Sequence, residues 1–150
     1  MASLPPLSLK GRALRLLSSR EHSRAELERR LGPHEDVPGA LAVVLDELQA
    51  KGFISEQRVL ESVIHRRSAK FGTTRIRQEL QAKGLEPEAV AKAVEQLRAT
   101  ELDRAREVWR KKFDSPALDA AQRAKQMRFL ASRGFGGEAI RKVVSESDDD

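Results

Sequence analysis

The sequence predicts an all-α protein, three tandem three-helix repeats forming an elongated, curved array. Three observations carry this. Ala, Leu, Glu, Arg, Gln and Lys, the strong helix formers, dominate the 150 residues, and aromatics are only 4%. Apolar residues recur at i, i+3 and i+4 in one segment after another. Finally, Gly84–Val94 aligns without a gap on Gly134–Val144 at an offset of 50, with Gly, Glu, Ala, Lys and Val identical at five positions. Leu80 and Leu130 extend the match, and a period near 50 with three helices per unit is the mark of a helical repeat array.

Residues 1–7, with two prolines, form a disordered lead-in. Repeat one spans 8–54. Ser8 caps a first helix carrying Ala13, Leu14 and Leu17. Ser23-Arg24-Ala25-Glu26 is a capping box for a second, with Leu27 and Leu31 as its stripe and Gly32-Pro33 as its end. Leu41, Val44, Leu45 and Leu48 mark the third, closed by Gly52, behind which Phe53-Ile54 can pack. Repeat two spans 55–98. Ser55 caps a helix with Val59 and Val63, Thr73 or Thr74 caps one with Ile76 and Leu80, and Glu86-Pro87 opens one with Val90, Ala93, Val94 and Leu97. Repeat three spans 99–144. Thr100-Glu101-Leu102-Asp103 reads as a capping box, Asp114-Ser115-Pro116 as the cap of an eighth helix closed by Gly134, and Gly137–Val144 as the ninth. Residues 145–150 form an acidic disordered tail.

The chemistry of catalysis is missing. There is no Cys, and His22, His34 and His65 lie far apart, none at metal-ligand spacing. No phosphate-binding glycine loop and no nucleophile elbow occurs; Gly134-Phe135-Gly136-Gly137 is a helix end, not a nucleotide loop. The expectation is a binding protein and not an enzyme, with no cofactor and no metal. The start Met1–Pro6 lacks a basic stretch followed by an apolar core, and no run approaches the roughly 18 apolar residues of a membrane span. A cytoplasmic protein without membrane contact is expected.

Charge locates the binding surface. The net charge of +5 belongs to the middle of the chain: residues 59–112 carry +5, against +1 before them and −1 after. One cluster comprises His65, Arg66, Arg67 and Lys70, continuing across Phe71-Gly72 to Arg75 and Arg77. A helix N-terminus beside these arginines can hold a phosphate or carboxylate. A second cluster comprises Arg110, Lys111 and Lys112, then Arg123, Lys125, Arg128 and Arg133 on the next helix. These twelve (Arg66, Arg67, Lys70, Arg75, Arg77, Arg110, Lys111, Lys112, Arg123, Lys125, Arg128, Arg133) are the candidate partner- or DNA-binding residues. Phe71, alone before a turn glycine, reads as a core anchor more than as a stacking platform, and the spacing of Trp109 from Leu102, Ala105 and Val108 also reads as core.

Several segments together carry a family pattern. They are Leu48-x-x-x-Gly52-Phe53-Ile54-Ser55, then Arg66-Arg67, Phe71-Gly72 and Ile76-x-x-Glu79-Leu80-x-x-Lys83-Gly84, and late in the chain Arg128-Phe129-Leu130-x-x-Arg133-Gly134-Phe135-x-x-Glu138-x-Ile140. In order and spacing, over residues 9–144, they resemble the RecX family of bacterial regulatory proteins. The family often has Asp or Asn where Ser55 stands, and Ser is an equally good cap. The resemblance implies a modulator that lies in the groove of the RecA filament on single-stranded DNA. It would curb filament growth, strand exchange, ATP hydrolysis and co-protease activity, and also touch DNA directly. A monomer is expected. The alternative is a free-standing basic DNA-binding protein with helix-turn-helix-like units, and a third reading is a helical adaptor for another protein.

Overall fold

The structure is a computed structural model that describes residues 7–148, and the side chains of 7–145. Residues 1–6 of the expected lead-in and 149–150 of the expected tail lie outside the described residues. The described chain is helical: α1 Leu9–Ser19, α2 Arg24–Leu31, α3 Ala40–Ala50, α4 Glu56–Arg67, α5 Thr73–Ala82, α6 Pro87–Lys112, α7 Ala120–Ser132 and α8 Gly137–Asp148, with a 3-10 turn at Gly32–His34. It divides into two compact units. The first holds residues up to 62 together with Lys83–Leu85, and the second holds 63–82 and 86 onward.

The first unit is built as the periodicity predicts. Ser8 Oγ accepts from the Gly11 N–H at 3.0 Å and starts α1. Ala13, Leu27, Leu31, Leu41, Leu45, Leu48 and Ile54 form the core of this unit, with Leu14, Leu17 and Val44 packed around it. The Ser23 box forms in both directions, Glu26 N–H to Ser23 Oγ and Ser23 N–H to Glu26 Oε1, each 3.1 Å. Glu26 also takes Lys83 Nζ at 3.0 Å and Arg20 Nη2 at 3.0 Å. Burial would raise this carboxyl, but the Ser23 N–H, Lys83 and Arg20 outweigh it and hold it down to about 2.

In the second unit the structure corrects four expectations. The helices expected sixth and seventh are one: α6 runs 26 residues without a break. No Gly or Pro lies between Pro87 and Lys112, so nothing ends the helix, and Thr100 turns its hydroxyl to the Leu97 carbonyl at 3.2 Å instead of capping. Glu101 of the same expected box serves another helix, accepting the Thr73 N–H at 3.0 Å; Thr73 therefore opens α5 and neither Thr73 nor Thr74 caps it. The cap of α7 is Asp119, whose Oδ1 takes the Gln122 N–H at 2.8 Å; the Asp114-Ser115-Pro116 segment precedes it as a loop. Finally, α8 continues through Ser145 to Asp148, where the tail was expected to be disordered.

The core of the second unit contains Ala105, Val108, Leu130, Phe135, Ala139, Ile140, Val143 and Val144, with Leu102, Trp109, Met127 and Phe129 against it. Two backbone-level contacts hold its turns. The α4–α5 turn touches the α7–α8 turn directly: the Gly72 N–H donates to the Arg133 carbonyl at 2.7 Å. A Cβ on Gly72 would strike the backbone of Gly134 and Phe135, and one on Gly134 (φ 90°) would meet Arg75 Cβ at 2.5 Å. From below, the Arg104 guanidinium of α6 gathers the α4–α5 turn. It donates to the carbonyls of Phe71 at 2.7 Å, Ser68 at 3.1 Å and Leu97 at 3.0 Å, and to the hydroxyls of Thr73 and Thr100 at 3.1 Å. Burial lowers the Arg104 pKa, yet an arginine so fully bonded stays charged. One turn of α6 thus places a cation at the C-terminal end of α4 and an anion at the N-terminal end of α5, each against the matching helix dipole.

Two outcomes follow. Gly72→Ala forces the two turns apart and destabilises the second unit by about 3 kcal/mol, read as a lower midpoint in urea unfolding. Glu26, with its folded pKa near 2 below the ordinary 4.5, contributes stability that is complete above about pH 4.5 and lost as pH falls towards 2. Urea midpoints measured across that window fall for the native chain, and this slope is flattened in Glu26→Gln.

Candidate functional site

The two basic clusters read separately in the sequence share a residue in space. Phe71, 9% exposed, is buried as an anchor, and its ring is surrounded by guanidinium groups. Arg75 lies 4.3 Å from its centroid, Arg67 5.5 Å and Arg133 5.6 Å. All three are within cation–π range. Arg133 also lies 5.1 Å from the Phe129 ring, where Lys112 sits at 5.4 Å. Phe129 meets Phe113 edge-on at 5.5 Å, and Phe113 meets Trp109 at 6.4 Å. Trp109 is anchored by its indole N–H to Gln126 Oε1 at 2.9 Å, in keeping with a core role. The result is a basic rim on an aromatic base, running from Arg67 and Arg75 through Arg133 to Lys112.

Local folding puts each member there. Arg67 ends α4, Arg75 lies in the first turn of α5, Arg133 follows the last residue of α7 and Lys112 ends α6. Arg75 Nη1 is steadied by the Ser132 carbonyl at 3.1 Å, and Arg67 pairs with Glu79 at 3.3 Å. Among the described residues Glu79 is the one carboxylate paired with the trio around Phe71. Beside them Arg67, Phe71, Arg75, Ile76, Gln78 and Glu79 line a cleft of about 350 Å³.

The remaining candidates are not drawn into this rim. Arg66, Lys70, Arg77, Lys111, Lys125 and Arg128 form no ion pair among the described residues, and all are exposed except the half-buried Arg77. Arg110 is held by Glu107 at 2.6 Å, and Arg123, exposed on α7, is also engaged. Lys125 and Lys112 line a second cleft. The N-terminus of α5, expected as an anion site, is already taken by Glu101, so any anion is met by side chains. Sequence reading missed Arg104 and Glu101, which hold the turn beneath the rim. Their only signal was their spacing of three on one helix face, which many exposed pairs share. Among the described residues no cluster of His, Asp or Glu could hold a metal, and no helix is long and apolar enough to cross a membrane.

Such a rim presents planar donors of a shape that suits anionic groups, and comparison with known proteins gives it a context. The model of the second three-helix domain of RecX matches residues 55–94, and that of the third matches 99–144. The regulatory protein RecX of Leptothrix cholodnii is 54% identical over 144 residues, covering 96% of this chain and 92% of the relative. That of Herbaspirillum seropedicae is 49% identical, covering 93% and 90%. In fold, the crystal structure of RecX from Lactobacillus salivarius matches with a TM-score of 0.77 at 18% identity, over 95% of this chain and 96% of that one. Tandem three-helix domains matched in order, and close identity along almost the whole length of curated relatives, mean that the chain belongs to the RecX family of regulatory proteins.

Proposed function

We propose that this chain is a non-enzymatic, cytoplasmic regulator that binds the RecA filament on single-stranded DNA. It inhibits extension of the filament and its recombinase, ATPase and co-protease activities, and so modulates DNA repair and the SOS response. The observation that carries this reading is the rim itself: Arg67, Arg75 and Arg133 around one buried ring, continued to Lys112, with one carboxylate among the trio in the described residues. Like charges held this close repel one another, and an incoming phosphate or carboxylate relieves that repulsion. Arg66, Lys70, Arg77, Lys111, Lys125 and Arg128, which form no ion pair among the described residues, add contacts that are individually weak and collectively strong when several engage one long target. Family membership supplies the regulatory context in which a basic helical surface meets a nucleoprotein partner.

A second reading, a free-standing DNA-binding protein, draws on the same cations set on three-helix units. It demands tight binding to bare DNA that falls steeply with salt. The two readings separate in a gel shift at physiological salt, where the filament regulator binds bare DNA only weakly.

On the first reading, adding the chain lowers RecA-driven ATP hydrolysis on single-stranded DNA. The triple variant Arg67→Ala, Arg75→Ala, Arg133→Ala needs at least about tenfold more protein for the same inhibition while its unfolding midpoint stays near that of the native chain. Unchanged hydrolysis at saturating native protein would overturn the assignment.

A further inference from the structure

The first unit carries little net charge, and its basic residues fall outside both clusters read from the sequence. Folding gathers three of them. Arg12 and Arg15, three residues apart, share a face of α1. Arg30 lies in the last turn of α2, and His34 ends the 3-10 turn that follows. Together Arg12, Arg15, Arg30 and His34 line one open cleft of about 150 Å³, and Leu16 and Leu31 supply its apolar part. Arg15, Arg30 and His34 are exposed, and Arg12 is half-buried.

This cluster has no counter-ion. Among the described residues no carboxylate lines the cleft, and none of the three arginines enters an ion pair. The elements around it explain why. No Asp or Glu occurs in α1. The two carboxylates of α2 are committed elsewhere, Glu26 to Ser23, Lys83 and Arg20, and Glu28 to Arg24 at 3.1 Å. Glu35, just past the turn, accepts the Leu41 N–H at 2.8 Å, and Asp36 does not line the cleft. Residues 1–6 contain no acidic side chain.

Other cations of the same unit are neutralised. Lys10 and Lys51 pair with Glu47 at 2.8 and 2.9 Å, Arg24 with Asp46 at 2.7 Å and Arg58 with Glu21 at 2.8 Å. The helix dipole accounts for Arg30 at the end of α2. It does not account for Arg12, within the first four residues of α1, where the positive end of the dipole disfavours a cation. Three guanidiniums around one small cleft repel one another until something negative joins them.

We infer that this cleft is an anion site of the first unit and that it takes the phosphodiester backbone of a nucleic-acid strand. Three features favour a strand over an acidic peptide or free phosphate. A single guanidinium fork satisfies a carboxylate, whereas three forks suit phosphate oxygens. Arg12 and Arg15 spring from α1 about 5–6 Å apart, a spacing that lets each meet its own phosphate on one strand. The apolar part at Leu16 and Leu31 suits the sugars between phosphates, which inorganic phosphate lacks. Contacts of this kind position a strand without reading its bases, so binding is independent of sequence. The site shares no residue with the rim of the second unit and stands whether or not the chain inhibits RecA.

The test is the fluorescence anisotropy of a labelled single-stranded dT oligonucleotide titrated with the full chain at low salt. Arg15→Gln with Arg30→Gln, both at exposed positions, removes two phosphate contacts. Affinity is expected to fall about tenfold, and the slope of log affinity against log salt to flatten by about 1.4. Lys10→Gln with Lys51→Gln removes the same charge from the same unit away from the cleft, and the loss is several-fold smaller. The triple variant Arg12→Lys, Arg15→Lys, Arg30→Lys keeps the net charge yet binds several-fold more weakly than the native chain, because lysine has no planar fork. Circular dichroism melts check that the variants fold as the native chain does. Polyglutamate matched to the oligonucleotide in charge displaces it only in large excess. A double variant that binds as its control does, a lysine variant that binds as the native chain does, or displacement by an equal amount of polyglutamate would each overturn the inference.

Discussion

The second unit depends on a place where no side chain fits. Gly72 and Gly134 bring two interhelical turns into backbone contact, closed by the bond from the Gly72 N–H to the Arg133 carbonyl at 2.7 Å. This contact is steric before it is energetic, because a methyl group on Gly72 occupies space already filled by main chain and one on Gly134 meets the Cβ and N of Arg75. Its effect reaches the surface at once. Phe71 precedes one glycine and Arg133 precedes the other, so the approach of the turns is also the approach of a ring and a guanidinium. The basic rim is a by-product of backbone packing.

The other constraint is electrostatic. Arg104 brings a charge into a half-buried position at a cost in solvation, and each direction of its guanidinium is met by an oxygen. Lysine has no planar fork to span carbonyls on both sides of the turn. With Glu101, Arg104 serves the C-terminal side of α4 and the N-terminal end of α5 from a distant helix. The first unit solves the same problem locally, since Ser23 and Glu26 cap α2 from within and Lys83 adds a third contact. The starts of α2 and α5 are thus closed by different means, one from the neighbouring residues and one from a distant helix.

What was legible in the sequence was what depends on neighbours along the chain. The Ser23 box, the Ser8 cap and the apolar stripes of α1, α3 and α5 are all short-range patterns, and all of them stand. The Thr100 box was misread because a capping box reports only that a helix can start, and α6 has nothing at that point to make one stop. Phe71 was read correctly as an anchor, but its three arginines come from residues 67, 75 and 133, and no local pattern ties 133 to the others. Arg104 was invisible for a related reason: on a helix rich in Arg, the one that turns inward looks like those that face water.

The unbroken course of α6 changes what counts as a module in this protein. The sequence repeats in threes, but the helix that ends repeat two also begins repeat three, over a length of about 39 Å. A chain cut between residues 98 and 99 would split that helix in mid-course and take Arg104 and Glu101 away from the turn they hold. Repeats two and three therefore melt, fold and resist proteolysis together, and the segment that evolution or a protein engineer can exchange as a whole is the pair.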